Sequence, residues 1–87
     1  PMTPPTPPWR ATYRLQLREG IDFDAAAGRL PALKALGVSH LYLSPVFAAA
    51  RGSTHGYDVT DPTAIDPALG GREGFERLAA RARAEGI

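Results

Sequence analysis

The sequence has 87 residues, 44% of them hydrophobic, with ten basic and nine acidic side chains and a formal charge of +1. This balance excludes nucleic acid and membrane surfaces as main partners, and no apolar run approaches the roughly 18 residues of a membrane span. The absence of cysteine excludes a disulfide framework, a thiolate zinc site and a cysteine nucleophile, and indicates a cytoplasmic location.

The first ten residues, PMTPPTPPWR, carry five prolines in their first eight positions. They contain neither the basic region nor the apolar region of a signal peptide. We therefore expect a proline-rich, disordered leader at residues 1–10, to which we assign no function.

A strand is predicted at residues 11–17, ATYRLQL, because its side chains alternate. Tyr13 and Leu15 fall on one face, and Arg14 and Gln16 fall on the other. The letters REG that follow predict a turn.

A helix is predicted over residues 22–37, where apolar side chains recur at helical spacing. Asp22 or Asp24 would be its N-cap and Gly37 its C-cap. Pro31 lies inside this pattern, so we expect it to kink the helix or split it in two.

A second strand is predicted at residues 38–44, rich in branched and aromatic side chains, with His40 as a buried, hydrogen-bonded histidine. A second helix is predicted over residues 71–86, with Glu73 four residues before Arg77 as a surface ion pair.

The order strand, helix, strand, helix predicts an α/β fold with parallel strands joined by crossover helices. Two strands and two helices cannot cover both faces of a parallel sheet. We therefore interpret residues 11–87 as the first two β/α units of a (β/α)8 TIM barrel that is incomplete in this chain. A third strand is expected where Ile87 begins, and the rest of the barrel is an expected partner.

The segment at residues 45–70 is long, because strand-to-helix loops in such folds usually take roughly 2–6 residues. It leaves the carboxyl end of a parallel strand, where α/β barrels place their active sites. It also contains GSTHGYDVTD, a dense group of polar and aromatic residues. The pattern predicts that this loop is functional. Near its end, Asp66 and Pro67 predict a single helical turn, with Asp66 as its N-cap and Pro67 at its first helical position.

The residues of this loop leave several interpretations open. His55, Asp58 and Asp61 offer one nitrogen and two oxygens to a metal, although such loops more often form Asx turns, and we predict no metal. Asp58 and Asp61 also have the spacing of a glycosidase carboxylate pair. Tyr57 offers an aromatic face to a sugar, or anchors the loop to the barrel rim. Ser53 is interpreted as a turn residue rather than a nucleophile.

The segment YLSPVFAAARGSTHGYDVTDPTAIDPALGG, residues 42–71, resembles the segment after the second barrel strand of the α-amylase family of glycoside hydrolases. The shared features are an LSP strand end followed by HGY and GYD. The resemblance implies that Tyr57 stacks on the sugar attacked at its anomeric carbon and that His55 bonds a hydroxyl. Asp58 would support the same pocket.

The first strand extends this resemblance, because TYRLQL together with GSTHGYDVTDP is similar to members that act as intramolecular glucosylmutases. Tyr13 and Gln16 become further candidates for substrate binding, although alternation points them to opposite faces.

In this family the nucleophile, the acid/base and a stabilising carboxylate come from later strands, so we expect no catalytic residue in this chain and no activity from it alone. The resemblance implies a maltooligosaccharide substrate, no cofactor, an α,α-1,1 product and a trehalose-releasing hydrolase in the same pathway. An α-glucan hydrolase or another transglycosylase of the family, and a sugar-binding or structural fragment, remain as alternatives.

Overall fold

The computed structural model describes residues 10–87, so the predicted leader lies outside the described residues except for Arg10. The elements in chain order are strand β1 (Thr12–Leu15), helices α1 (Phe23–Gly28) and α2 (Leu30–Ala35), strands β2 (His40–Leu43), β3 (Phe47–Ala49) and β4 (Val59–Ile65), a 3-10 helix (Pro67–Leu69) and helix α3 (Gly71–Ala84).

Strands β1 and β2 pair in parallel, as predicted, with Thr12 opposite His40 and Leu15 opposite Leu43. The segment between them is the pair of helices α1 and α2. This is one β-α-β unit, and it confirms the α/β class.

Two buried serines hold the ends of this strand pair. The Ser39 hydroxyl accepts hydrogen bonds from the backbone N–H groups of Arg10 at 2.8 Å and Ala11 at 3.0 Å. At the opposite end, the Ser44 hydroxyl accepts one from the N–H of Leu17 at 2.8 Å. These bonds satisfy backbone donors that the short strands leave without a ladder partner.

The predicted first helix is split in two at Arg29, as Pro31 led us to expect. Proline lacks an N–H and its ring clashes with the carbonyl four residues earlier, so it is tolerated only in the first turn of a helix. Pro31 lies in the first turn of α2. Helix α2 ends at Ala35, and Gly37 beyond its cap has a φ of +86° that permits the N–H of Val38 to donate to the Leu33 carbonyl at 3.1 Å.

Asp22 is the N-cap of α1, and its carboxylate accepts a hydrogen bond from the N–H of Ala25 at 2.8 Å. We expect Asp22→Ala to free this N–H at a cost of about 1 kcal/mol in local stability. Hydrogen exchange of the Ala25 amide should then be faster by about fivefold, whereas Asp22→Asn, which keeps an acceptor, should leave it nearly unchanged. An Ala25 amide that exchanges in Asp22→Ala at the wild-type rate would show that the cap contributes nothing.

The core lies between the helices and one face of the β1–β2 pair. Its buried members are apolar side chains from the first strand, the helices and the 3-10 helix: Leu15, Leu17, Phe23, Ala26, Ala27, Leu30, Leu69 and Leu78. Phe23 packs edge to face on Phe75 with ring centroids 5.6 Å apart. The opposite face of the strand pair is exposed, and it carries Arg14 and Tyr42 in register.

The segment after β2 differs from our expectation of an irregular loop. It contains the antiparallel pair β3–β4 ahead of the predicted single turn, which is the 3-10 helix. The register of the pair shifts twice within three residues of β3, and β4 contains Pro62, which cannot donate to a strand ladder. Because of these irregularities, the segment lacks the regular alternation of apolar and polar residues that would have predicted a hairpin.

Two side-chain expectations were wrong. His40 is half-buried rather than buried, and its Nδ1 lies 3.0 Å from the Ser39 hydroxyl. Arg77 is paired with Asp24 of α1 rather than with Glu73, through Nε at 3.1 Å and Nη2 at 3.0 Å. A bidentate carboxylate pair fits the planar guanidinium better than a single contact along one helix.

No helix within residues 10–87 combines the length and the apolar character that a membrane crossing requires.

Candidate functional site

The exposed face of β1 meets the tip of the β3–β4 hairpin through a chain of hydrogen bonds. Arg14 donates from Nη2 to the Tyr57 hydroxyl at 2.9 Å and from Nη1 to Oε1 of Gln16 at 2.9 Å. Gln16 in turn donates from Nε2 to the His55 carbonyl at 3.4 Å. Arg14 thus fixes the outer end of the Tyr57 ring relative to the strand.

His55 and Tyr57 form a stacked pair, with ring centroids 5.9 Å apart and ring planes at 29°. The N–H of Tyr57 donates to Nδ1 of His55 at 2.9 Å. Because Nδ1 is the acceptor there, the neutral ring carries its hydrogen on Nε2. The two residues present a flat aromatic surface with a donor beside it, and 59% of the Tyr57 surface is exposed.

Asp58 holds the turn that leads into this pair. Its Oδ1 accepts a 2.5 Å hydrogen bond from the Ser53 hydroxyl, which itself accepts from the N–H of Gly56 at 2.9 Å. The Asp58 carbonyl accepts from the N–H of Ala50 at 3.0 Å. Asp58 lies 3.9 Å from Nδ1 of His55, which is too long for a hydrogen bond. Ser53 is a turn residue in this arrangement.

The hydrogen bond from Ser53 holds the pKa of the Asp58 carboxyl below its ordinary value of 3.8. A depressed pKa means that the charged carboxylate stabilises the folded turn above the unfolded pKa, and that this stabilisation is lost as the pH falls through the folded pKa. We expect Ser53→Ala to raise the pKa of Asp58 and move that loss to higher pH. Carboxyl carbon-13 titration, assigned with Asp58→Asn, checks this; an unchanged titration would contradict it.

Beneath the turn lies a buried ion pair that our reading of the sequence missed. Arg18 donates from Nη1 to Oδ2 of Asp66 at 2.7 Å and from Nη2 to the Phe47 carbonyl at 3.2 Å. The other oxygen of Asp66 caps the 3-10 helix by accepting from the N–H of Ala68 at 2.9 Å, as predicted. Burial raises the pKa of Asp66, but the hydrogen bonds from Arg18 and from the Ala68 N–H, together with the guanidinium charge, outweigh it and hold that pKa below its ordinary value. The sequence offered only the turn letters REG as a signal for Arg18.

The structure brings three of the five predicted substrate-binding residues into one cluster: Gln16, His55 and Tyr57. Asp58 lies directly behind them in the turn. Tyr13 is 40% exposed and is no part of the core, and among the hydrogen bonds between described residues none joins it to this cluster. Arg14 belongs to the cluster although we had not named it as a site residue.

The metal and carboxylate-pair interpretations gain no support from the geometry. Asp61 closes its own Asx turn by accepting from the N–H of Thr63 at 2.9 Å and from its hydroxyl at 2.6 Å. Within residues 10–87, no group of three or more His, Asp or Glu side chains is placed to hold a metal ion.

The exposed aromatic pair follows the carboxyl end of a parallel strand, which is where α/β barrels place their active-site loops. Residues 18–87 match the family model described as alpha-amylase, catalytic domain. The chain therefore belongs to the α-amylase family.

Two relatives show to which members of this family the chain is similar. A putative maltooligosyl trehalose synthase of Mycobacterium tuberculosis is 54% identical over 82 residues, covering 88% of this chain and 11% of that protein. Neopullulanase 2 of Thermoactinomyces vulgaris is 44% identical over 68 residues, covering 78% of this chain and 11% of that protein. The chain thus spans only 11% of the length of each of these two relatives.

Solved structures give the same comparison in three dimensions. The crystal structure of a maltooligosyl trehalose synthase superposes with a TM-score of 0.84 at 49% identity, over 87% of this chain and 11% of that one. The maltooligosyltrehalose synthase from Arthrobacter ramosus superposes with a TM-score of 0.84 at 43% identity, over 87% of this chain and 10% of that one.

Proposed function

We propose that this chain is the N-terminal part of an intramolecular glucosylmutase of trehalose biosynthesis. The full-length enzyme would convert the reducing-end α-1,4 bond of a maltooligosaccharide into an α,α-1,1 bond. The observation that carries the proposal is the 54% identity to a putative maltooligosyl trehalose synthase across 88% of the chain. The identity to Neopullulanase 2 is lower, at 44% over 78% of the chain. This difference favours the mutase over a hydrolase of the same family.

The proposal includes the first two β/α units of a (β/α)8 barrel. Its support is the parallel β1–β2 pair with helices on one face and exposed polar side chains on the other. In a closed barrel the exposed face is covered by the remaining strands, which the rest of the enzyme would supply.

Tyr57 and His55 are the proposed sugar-binding residues of this part. The C–H face of a pyranose packs on an aromatic ring, and the Tyr57 ring is held flat by Arg14 at its hydroxyl and by its own N–H at His55. His55 would donate from Nε2 to a sugar hydroxyl, and Gln16 is a further candidate donor. Asp58 would act through the turn rather than on the sugar, and Tyr13 remains a weaker candidate.

The chemical steps require carboxylates from the rest of the enzyme. An enzyme carboxylate attacks the anomeric carbon of the penultimate glucosyl unit, and the reducing-end glucose leaves with a proton on its 4-oxygen. The released glucose turns and its anomeric hydroxyl attacks the glucosyl-enzyme, losing a proton to the same acid/base group. Two inversions retain the α configuration, and water must be excluded for the mutase to prevail over hydrolysis.

Reducing-end counting on maltopentaose tests this proposal with the full-length protein. A mutase removes one reducing end per turnover and forms an α,α-1,1 linkage visible by proton NMR. A hydrolase adds one reducing end per turnover and releases glucose or shorter maltooligosaccharides. A sugar-binding or structural protein leaves the count unchanged. Either of the last two results overturns the proposal.

Two parts of the proposal remain predictions from the sequence. They are the cytoplasmic location and the trehalose-releasing hydrolase that would consume the product.

A further inference from the structure

Arg18 is a charged residue that lies buried beneath the hairpin. The side chain of Arg18 is 6% exposed, and that of its partner Asp66 is 9% exposed. The guanidinium reaches three parts of the segment after β2: the start of β3 through the Phe47 carbonyl, the 3-10 helix through Asp66, and the turn at Gly56.

The contact with Gly56 is close. A Cβ added at Gly56 would lie 2.5 Å from Nε of Arg18 and 2.9 Å from its Nη2. Nε itself is buried and has no hydrogen-bond partner among the described residues. The flat guanidinium therefore lies directly against the Gly56 backbone, and a side chain at this position would have to displace it from its partners Asp66 and Phe47.

Apolar packing does not hold this part of the hairpin in place. Between residues 51 and 63, Gly56 is the only buried residue. The large side chains of the hairpin are partly open to solvent, since Phe47 and Val59 are each 40% exposed and Tyr57 is 59% exposed. The point where the tip is buried is thus the point where it touches Arg18.

We propose that Arg18 is a positioning residue for the sugar-binding surface, because its buried guanidinium fixes the backbone between His55 and Tyr57. This proposal rests on the proposed function, and it assigns to Arg18 an effect on how the glucosyl unit is held rather than a contact with sugar. A buried ion pair is weak evidence for stability, but a planar fork that satisfies two acceptors sets an orientation.

The turn that carries Arg18 supports the same role. Arg18 has a φ of +83° and Glu19 a φ of +50°, which are left-handed conformations that residues other than glycine rarely adopt. Two bonds close this turn, from the N–H of Arg18 to the Ile21 carbonyl at 2.7 Å and from the N–H of Ile21 to the Arg18 carbonyl at 3.1 Å. Such strained conformations persist where the surrounding structure requires them, often at functional sites.

The test compares Arg18→Lys with Arg77→Lys in the full-length enzyme. Lysine at position 18 keeps a charge for Asp66 but loses the planar fork to the Phe47 carbonyl. Arg77 is the matched control, because it also makes an Arg–Asp pair, with Asp24 at 3.0 Å, but on the helices.

We expect Arg18→Lys to lower kcat/KM on maltopentaose by about 10- to 100-fold, mainly through kcat. We also expect a larger share of turnovers to end in free glucose, because a displaced glucosyl unit is less well aligned with the released glucose, so that water attacks the glucosyl-enzyme more often. Arg77→Lys should change neither quantity. A lower melting temperature in Arg18→Lys with an unchanged product ratio would show a merely structural role and overturn the proposal.

Hydrogen exchange gives a reading that does not depend on activity. The amides of Ala50 and Gly56 both donate hydrogen bonds within the hairpin tip, and both should exchange faster in Arg18→Lys than in the wild type. Unchanged exchange overturns the proposal even if the wild type is a mutase. If exchange is faster in Arg18→Lys but the wild-type enzyme proves to be a hydrolase, the mutase function is rejected and the positioning role of Arg18 is retained.

Discussion

Tyr57→Ala in the full-length enzyme is expected to raise the barrier on maltopentaose by roughly 2–4 kcal/mol, through lost stacking and lost positioning of the sugar. This corresponds to a fall in kcat/KM of about 30- to 1000-fold. The fold should be retained, because 59% of the Tyr57 surface is exposed and its side chain is no part of the core. Steady-state kinetics together with circular dichroism measure both.

Tyr57→Phe is the control that separates the ring from its hydroxyl. It keeps the aromatic face but removes the acceptor for Nη2 of Arg14, which lies 2.9 Å away. We expect a loss of only about 3- to 10-fold, the value of one exposed hydrogen bond that orients the ring. Unaltered kinetics of Tyr57→Ala would show that Tyr57 does not stack on sugar. Equal losses in both variants would transfer the role from the ring to the hydroxyl.

The parts of the fold that could be predicted from the sequence are those set by local signals. Alternation in ATYRLQL gave the first strand, Pro31 gave the split of the first helix, and Asp66 followed by Pro67 gave the single turn at the 3-10 helix. Each depends on residues within about one turn or a few strand positions. The parallel pairing followed because a helix-length connection joins the two strands.

The parts that could not be predicted depend on contacts between residues far apart in the chain. Arg14 and Tyr57 are separated by 43 positions, and Arg18 and Asp66 by 48. No periodicity relates such residues, so Arg14 and Arg18 were seen only as polar residues of a strand and a turn. His55 and Tyr57 were identified as site residues because they are close neighbours in one motif, but their stacking on each other was not predicted. The residues that hold this pair in place, Arg14 and Arg18, were not identified.

The same long-range contact makes Gly56 the position where the smallest added group should do the most damage. Gly56 has a φ of +80°, and an added Cβ would lie 2.5 Å from Nε of Arg18. We expect Gly56→Ala to displace the His55–Tyr57 pair and to lower kcat/KM by about 100-fold, as a misplacement of roughly 1 Å does. Steady-state kinetics on maltopentaose and the hydrogen-exchange rates of the His55 and Tyr57 amides measure the effect.

Gly52→Ala isolates the part of this effect that comes from Arg18. Gly52 has a φ of +77°, nearly that of Gly56, but an added Cβ there meets no atom within 4 Å. Both variants carry the backbone cost of a left-handed alanine, about 1–2 kcal/mol, and only Gly56→Ala adds the collision. Gly52→Ala should therefore leave kcat/KM within about threefold of the wild type. If the two variants lose activity equally, backbone strain alone accounts for the loss, and the contact between Arg18 and Gly56 does not position the sugar-binding residues.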